Sequence, residues 1–143
     1  MTTPPRRAGT RYEGQQKDWW NGQGPPFDEV DRQPLRGTRD TGDLDGFPEV
    51  SIPGTGRFVW VAGCKAETTI RLGDYMDEMR EQGANLLRRR KLAGVLPVEL
   101  VKRRNCHDGT GSRSYAVMEA GTLAAAMRLM HWLANPETRG DAP

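Results

Sequence analysis

Apolar positions along the chain follow two different periods, which predict where its strands and helices lie. Residues 57–62 are apolar after the first position, as in a strand buried on both faces, and residues 95–101 predict a second strand. Residues 71–91 instead carry apolar side chains at three- and four-residue spacing, which predicts a long helix. Its expected buried face consists of Leu72, Tyr75, Met79, Gly83, Leu86 and Leu87.

Weaker patterns predict a first helix and two short strands. Residues 10–20 have helical periodicity, and Thr10 would cap this helix with Glu13 three residues later, as in a capping box. Residues 47–52 and 114–118 are short apolar runs next to glycine- and proline-rich turns, so both predict strands.

The last predicted element is a helix over residues 123–133, and it completes an α/β pattern. One face of this helix carries Leu123, Met127, Met130 and Leu133. The order of elements predicts a single α/β domain with a central mixed β-sheet flanked by helices. At 143 residues the chain is close to one ordinary domain of about 150. We expect this domain to cover residues 9–134, between a disordered tail over residues 1–8 and a second tail over residues 135–143.

Composition limits the classes of partner without selecting one. The net charge is only +2, but basic residues cluster at residues 88–91 and 102–104, where they could meet phosphates or simply face solvent. No apolar run approaches the roughly 18 residues of a membrane span, and residues 1–10 contain no apolar stretch like that of a signal peptide. We therefore expect a cytoplasmic protein, with no membrane partner and with its two cysteines reduced.

Three polar residues next to predicted elements could supply the chemistry of a metal-dependent phosphodiesterase. Glu13 lies on the first helix, Asp43 in the glycine-rich loop TGDLDG, and Lys65 directly after the apolar strand. Carboxylate oxygens are the ligands that Mg²⁺ prefers, and a lysine can offset charge on a phosphate under attack. Taken singly, each has a simpler reading: Glu13 as a capping residue, Asp43 as a turn former and Lys65 as a strand end.

The order of these motifs resembles that of the PD-(D/E)XK nucleases, and within them the archaeal and phage Holliday junction resolvases. The first helix contains GTRYE, with Glu13, and RGTRDTGDLDG follows, with Asp43. The apolar strand ends in VAGCK, with Lys65, and the later segments PVELVKRR and SYAVMEAGTLAAAM match the end of the pattern. The resemblance spans about residues 9–130, and its motifs are specific only in combination.

The resemblance implies a restriction-endonuclease-like fold and a structure-selective endonuclease that hydrolyses phosphodiester bonds in branched or duplex DNA with Mg²⁺, or Mn²⁺ in its place. Asp43 and the backbone carbonyl of Cys64 would hold the metal, Glu13 would be an accessory ligand, and Lys65 would assist the attacking water. Such resolvases act as homodimers in a bacterial or phage-infected cell, and the final helix is a candidate dimer surface. The residues expected to contact DNA phosphates are Arg36, Arg39, Arg103, Arg104 and Arg113.

Gly63 departs from the family pattern at a metal-ligand position. The family has a glutamate there, two residues before the lysine, whereas this strand has glycine, which weakens a strand. Three acids could replace the missing ligand: Glu67, Asp74 or Glu78. The alternative hypothesis is a catalytically inactive relative that binds branched DNA or a protein partner without cutting it.

Overall fold

One ten-residue strand lies at the centre of the fold and organises the other elements around it. The computed structural model describes residues 5–34, 40–104 and 113–141, without the side chains of residues 5–8 and 139–141. In these ranges the helices are α1 (Pro5–Gly22), α2 (Leu72–Arg89), α3 (Ala120–Ala134) and a short 3₁₀ helix (Pro136–Asp141). The strands are β1 (Asp31–Arg32), β2 (Leu44–Asp45), β3 (Val50–Ile52), β4 (Gly56–Lys65), β5 (Gly94–Val101) and β6 (Tyr115–Val117).

The central strand, β4, pairs with neighbours of both directions. On one side it is antiparallel to β2 and β3, and on the other it is parallel to β5, which is in turn antiparallel to β6. In the described ranges the result is a mixed six-stranded sheet in the order β1-β2-β4-β5-β6, with β3 also paired to β4. The predicted α/β domain with a mixed sheet flanked by helices is therefore confirmed.

Helices cover both faces of this sheet. On one face α2 packs closely, because Gly83 has no side chain and lies against Val95 and Pro97 of β5. On the other face Tyr12 of α1 joins a core with Ala62 and Cys64 of β4. Leu129 of α3 packs against Ile52 and Leu96 on that same face. This arrangement explains why β4 is apolar at consecutive positions.

Several helix predictions need correction. The first helix begins at Pro5, five residues before the predicted start, so Thr10 lies inside α1 and is not its cap. On α2 the predicted buried face includes Tyr75 and Met79, but Leu72 and Leu87 are exposed. Periodicity assigns too many residues to the buried face, because a helix that packs on one sheet buries only a narrow stripe of its surface.

The apolar face predicted for the final helix points to solvent. Leu123, Met127, Met130 and Leu133 are 48%, 57%, 62% and 51% exposed, while Leu129 is the residue of α3 that is buried in the core. Both faces of α3 are therefore apolar. In the described ranges, no helix has the length and apolar character needed to cross a membrane.

Candidate functional site

Asp43 is held against the middle of the sheet by backbone contacts with β4. Asp43 directly precedes Leu44 of β2, which pairs with Ala62 of β4. The backbone N–H of Asp43 donates to the Ala62 carbonyl at 2.8 Å, and Oδ2 of Asp43 accepts a 2.7 Å hydrogen bond from the backbone N–H of Cys64. The preceding Gly42 makes this approach possible, because its φ is 111° and a Cβ there would lie 2.9 Å from the Ala62 oxygen.

Lys65 lies at the carboxyl end of β4, two residues beyond Gly63 and therefore on the same face. Its Nζ donates a 2.8 Å hydrogen bond to Oε2 of Glu78 on α2 and lies 5.5 Å from the centre of the Tyr75 ring. Burial by itself lowers the pKa of Lys65, but the hydrogen bond and charge of Glu78, together with the charges of Glu99 and Asp43, outweigh it, and the net pKa is raised. The lysine therefore carries its positive charge at neutral pH.

Glu99 is a part of this site that the sequence motifs did not identify. It lies on β5 directly opposite Gly63 in the parallel β4–β5 register. Its side chain is fully buried, and both carboxylate oxygens have no hydrogen-bond partner in the described ranges. A Cβ at Gly63 would lie 2.8 and 2.9 Å from these two oxygens and 2.7 Å from Sδ of Met79. The Glu99 carboxylate thus occupies the space that a side chain at Gly63 would fill.

The two central acids have unusually high pKa values. Burial raises the pKa of Glu99 to about 8; Lys65 opposes this, and the charge of Asp43 adds to it. Burial also raises the pKa of Asp43 to about 6, although the hydrogen bond from Cys64 acts in the opposite direction. Buried carboxyl groups with perturbed pKa values are typical of functional sites, where a cation can compensate their charge.

Glu13 and Cys64 lie near Asp43 but have other contacts. Glu13 Oε2 accepts a 3.2 Å hydrogen bond from Nε of Arg32 and lies 3.1 Å from its Nη2, and the charge of Glu13 contributes to raising the pKa of Asp43. The Cys64 side chain is buried in the core on the opposite face from Gly63, and burial raises the pKa of its thiol. Its backbone N–H, rather than its sulfur, is the group that contacts Asp43.

The three acids considered as replacements for the missing glutamate all have contacts elsewhere. Glu67 accepts hydrogen bonds from the Tyr75 hydroxyl, at 2.8 Å, and from Arg71. The exposed Asp74 lies 3.9 Å from Arg71, and Glu78 pairs with Lys65. Glu99 could have been noticed in the sequence, because it is the only charged residue in the apolar run Val95–Val101 and so predicts a buried carboxyl group.

The basic residues separate into two groups at opposite ends of the sheet. Arg103 and Arg104 directly follow β5, whose carboxyl end lies beside that of β4 and Lys65. The pairing of Tyr115 with Val101 places Arg113 at the same end. In the described ranges Arg103, Arg104 and Arg113 form no ion pair. Arg36 and Arg39 lie outside the described residues.

The basic run at residues 88–91 is remote from Lys65. It spans the end of α2 and precedes β5, next to the start of β4, where the backbone N–H of Ala93 donates to the Arg57 carbonyl at 2.7 Å. Arg90 also pairs with Glu49 at 2.6 Å. Only the run at residues 102–104 therefore adjoins the candidate site.

The described residues contain no group of three or more histidine, cysteine, aspartate or glutamate side chains arranged to hold a metal ion. Mg²⁺ does not require such a group, because it keeps several waters and commonly binds through one or two carboxylates. Asp43 and Glu99 on one face of the sheet fit this requirement, since the Glu99 oxygens are buried and unpartnered.

Comparisons with protein-family models, curated proteins and solved structures found no match to this chain. The likeness to the resolvases accordingly rests on motif order, and the function that it implies is a proposal.

Proposed function

We propose that the protein is a Mg²⁺-dependent endonuclease that hydrolyses phosphodiester bonds in branched DNA, with a restriction-endonuclease-like fold. The observation that carries this proposal is the hydrogen bond from the N–H of Cys64 to Asp43, because Cys64 directly precedes Lys65 and the charges of Asp43 and Lys65 act on each other. A buried carboxylate and a charged lysine on rigid strands are the groups that a metal-assisted hydrolysis needs.

Each residue has a role that follows from its surroundings. Asp43 would hold the cation, which when bound polarises the phosphate and lowers the pKa of a coordinated water. Lys65 would orient the attacking water and offset the charge that develops on the phosphate. Glu78 accepts a hydrogen bond from Lys65 and favours its charged form, so it would act through the lysine. Glu13, which is paired with Arg32, would act through its charge near Asp43.

Arginines at the carboxyl ends of the parallel strands would bind the DNA backbone. Arg104 and Arg113 are exposed and Arg103 is half-buried, and all three are at the same end of the sheet as Lys65. Phosphate contacts of this kind position nucleic acid without reading its sequence. Selection for branched DNA would therefore depend on the shape of the substrate.

The direct test is cleavage of a four-way DNA junction and of matched linear duplex, with Mg²⁺ or Mn²⁺ and with a chelator. We expect metal-dependent cutting that favours the junction, and loss of cutting in Asp43→Asn and Lys65→Met. Glu81→Gln is the control, because Glu81 is an exposed residue of α2. Cutting that survives the chelator or the Asp43→Asn change would contradict the proposal.

The alternative function, binding of branched DNA without cleavage, is favoured by the glycine at position 63 and by the pairing of Lys65 with Glu78. Junction binding by the wild-type protein, with no cleavage in either metal, would support this alternative. The same gel-shift and cleavage measurements therefore separate the two functions.

We further propose that the protein forms a homodimer through α3. Four large apolar side chains of this helix are exposed, and Arg128 is the only acidic or basic residue between Ala120 and Ala134 apart from His131. The same sheet face has an apolar cleft bounded by Trp20, Trp60 and Met118. Exposed apolar surfaces of this kind mark protein–protein interfaces, and two-fold symmetry suits a substrate that must be cut twice.

A further inference from the structure

Glu99 combines complete burial with the absence of any described hydrogen-bond partner. Its exposed fraction is 0%, and both carboxylate oxygens are buried. A buried carboxyl group is costly unless hydrogen bonds, an opposite charge or a metal ion compensate it. In the described ranges the nearest basic group that acts on Glu99 is Lys65, which is hydrogen-bonded to Glu78 instead.

The absence of a side chain at Gly63 leaves the space that the Glu99 carboxylate fills. The two residues are partners in the parallel β4–β5 register, and residues side by side in a sheet point to the same face. The Glu99 oxygens lie 2.8 and 2.9 Å from where the Cβ of a larger residue at position 63 would be. Gly63 therefore leaves room for a carboxylate that comes from the neighbouring strand.

We propose that Glu99 takes the place of the strand glutamate and binds the divalent cation together with Asp43. This inference rests on the proposed nuclease function and names the second acidic ligand of its metal site. The carboxylate would approach from β5 across the unfilled position of Gly63, instead of from β4 itself.

The two acids lie on the two sides of the same glycine. Asp43 is hydrogen-bonded to the carbonyl of Ala62 and to the N–H of Cys64, the residues before and after Gly63, and Glu99 pairs with Gly63 from β5. Adjacent strands are about 4.8 Å apart, so the two acidic residues start from backbones roughly 10 Å apart, and Gly63 has no side chain of its own between them. A cation bound between the two carboxylates would be close to Lys65, whose charge acts on both acids.

The test is to measure Mn²⁺ binding in the absence of DNA. Calorimetry and electron paramagnetic resonance of the free ion both report this binding. We expect Glu99→Gln and Asp43→Asn each to weaken Mn²⁺ binding by at least as much as loss of an outer-sphere partner does, roughly 10- to 100-fold. Glu67→Gln is the matched control, because Glu67 lies near Lys65 in sequence but accepts hydrogen bonds from Tyr75 and Arg71. This variant should bind Mn²⁺ as the wild-type protein does.

A reciprocal exchange gives a second and independent measurement. Glu99→Ala combined with Gly63→Glu moves the carboxylate from β5 back to β4, and we expect it to recover Mn²⁺ binding that Glu99→Ala alone loses. Gly63→Glu alone should not improve binding, because Glu99 and Met79 already occupy the space. Circular dichroism of each variant shows whether it is folded.

The possible results distinguish this inference from the proposed function. If folded Glu99→Gln binds Mn²⁺ as tightly as the wild-type protein, Glu99 is not a ligand, whether or not the wild-type protein cuts DNA. If Asp43 and Glu99 are both needed for Mn²⁺ binding but no DNA is cut, the inference holds and the nuclease proposal fails. A wild-type protein that binds no Mn²⁺ would overturn the inference directly.

Discussion

Nζ of Lys65 lies 2.8 Å from Oε2 of Glu78, and this pair joins the end of β4 to the helix that covers the sheet. The ammonium group of Lys65 also lies over the ring of Tyr75, 5.5 Å from the ring centre. Lys65 is therefore held in place by α2 before any substrate is bound.

Removal of the Glu78 charge should lower the pKa of Lys65. Glu78 raises this pKa by a hydrogen bond and by its charge, so in Glu78→Gln the opposing effect of burial would be less compensated. The pKa can be followed by NMR titration of ¹³C-labelled lysine, with Glu81→Gln as the control. An unchanged Lys65 pKa in Glu78→Gln would show that the pair is not formed in solution.

The space at Gly63 predicts a non-additive effect on stability. Gly63→Ala should lower the free energy of unfolding by about 1–3 kcal/mol, as overpacking does, because its Cβ would lie 2.7 Å from Met79 and 2.8 Å from Glu99. Combination with Glu99→Ala should relieve part of this loss of stability. Urea unfolding of the two single variants and the double variant measures the coupling free energy between the two positions.

Gly14 provides the matched control for this experiment. It lies inside α1, and a Cβ there would meet no atom within 4 Å. Gly14→Ala should therefore stabilise the protein by about 0.5–1 kcal/mol. Equal effects of alanine at positions 14 and 63 would contradict the packing that the structure shows.

Stability of the metal-free protein should fall as the pH rises. The pKa of Glu99 is about 8 in the folded state against an ordinary 4.5, so between these values the folded state binds more protons than the unfolded state. Stability from this group is complete below pH 4.5 and is lost as the pH rises toward 8. Asp43 adds the same trend between 3.8 and about 6.

Urea unfolding in the presence of a chelator at several pH values measures this slope, which is at most about 1.4 kcal/mol per pH unit for each group. Glu99→Gln should remove the part of the slope between pH 6 and 8. If stability instead increases over that range in the wild-type protein, the Glu99 carboxyl group is not buried as described.

DNA binding should depend on salt through the arginines at the Lys65 end of the sheet. Each phosphate contact contributes about 0.9 to the slope of log K against log salt on duplex DNA. Arg104→Gln should reduce this slope, whereas Arg89→Gln, at the opposite end, should leave it unchanged. Fluorescence anisotropy with a labelled junction over a salt series makes the comparison. Equal effects of the two changes would place the DNA elsewhere.

The proposed dimer predicts that charge on α3 separates the subunits. Met127→Glu with Met130→Glu puts two carboxylates on the exposed apolar face and should give a monomer in sedimentation velocity. Leu87→Glu is the control, because Leu87 is an exposed apolar residue on the other face of the sheet. A monomeric wild-type protein would contradict the proposal.

Long elements with strong periodicity were predictable from the sequence, and weak ones were less so. The strand predicted over residues 57–62 and the helix over residues 71–91 lie within a few residues of β4 and α2. The start of α1 was misplaced, because Thr10 and Glu13 imitate a helix cap although the helix continues back to Pro5. Periodicity indicates which residues share the apolar face of α3 but not what covers it, and the structure leaves this face exposed.

The parts of the candidate site that follow one another along the chain were easier to predict than those joined by the sheet. Lys65 and Gly63 belong to one strand, so their shared face followed from the two-residue period. The position of Glu99 depends on strand pairing and register, which no local pattern contains. The three acids considered in its place, Glu67, Asp74 and Glu78, are all closer to Lys65 in sequence than Glu99 is.

The pairing of Gly63 with Glu99 has a consequence for how such a site could change over time. A chain with glutamate at both positions would crowd two carboxylates into one space, and a chain with neither would have a single acid on this face of the sheet. A single substitution at either position gives one of these two less favourable chains. The residues at positions 63 and 99 should therefore change together in evolution. Among relatives of this chain, the presence of an acid at one position should predict its absence at the other, a correlation between sites 36 residues apart.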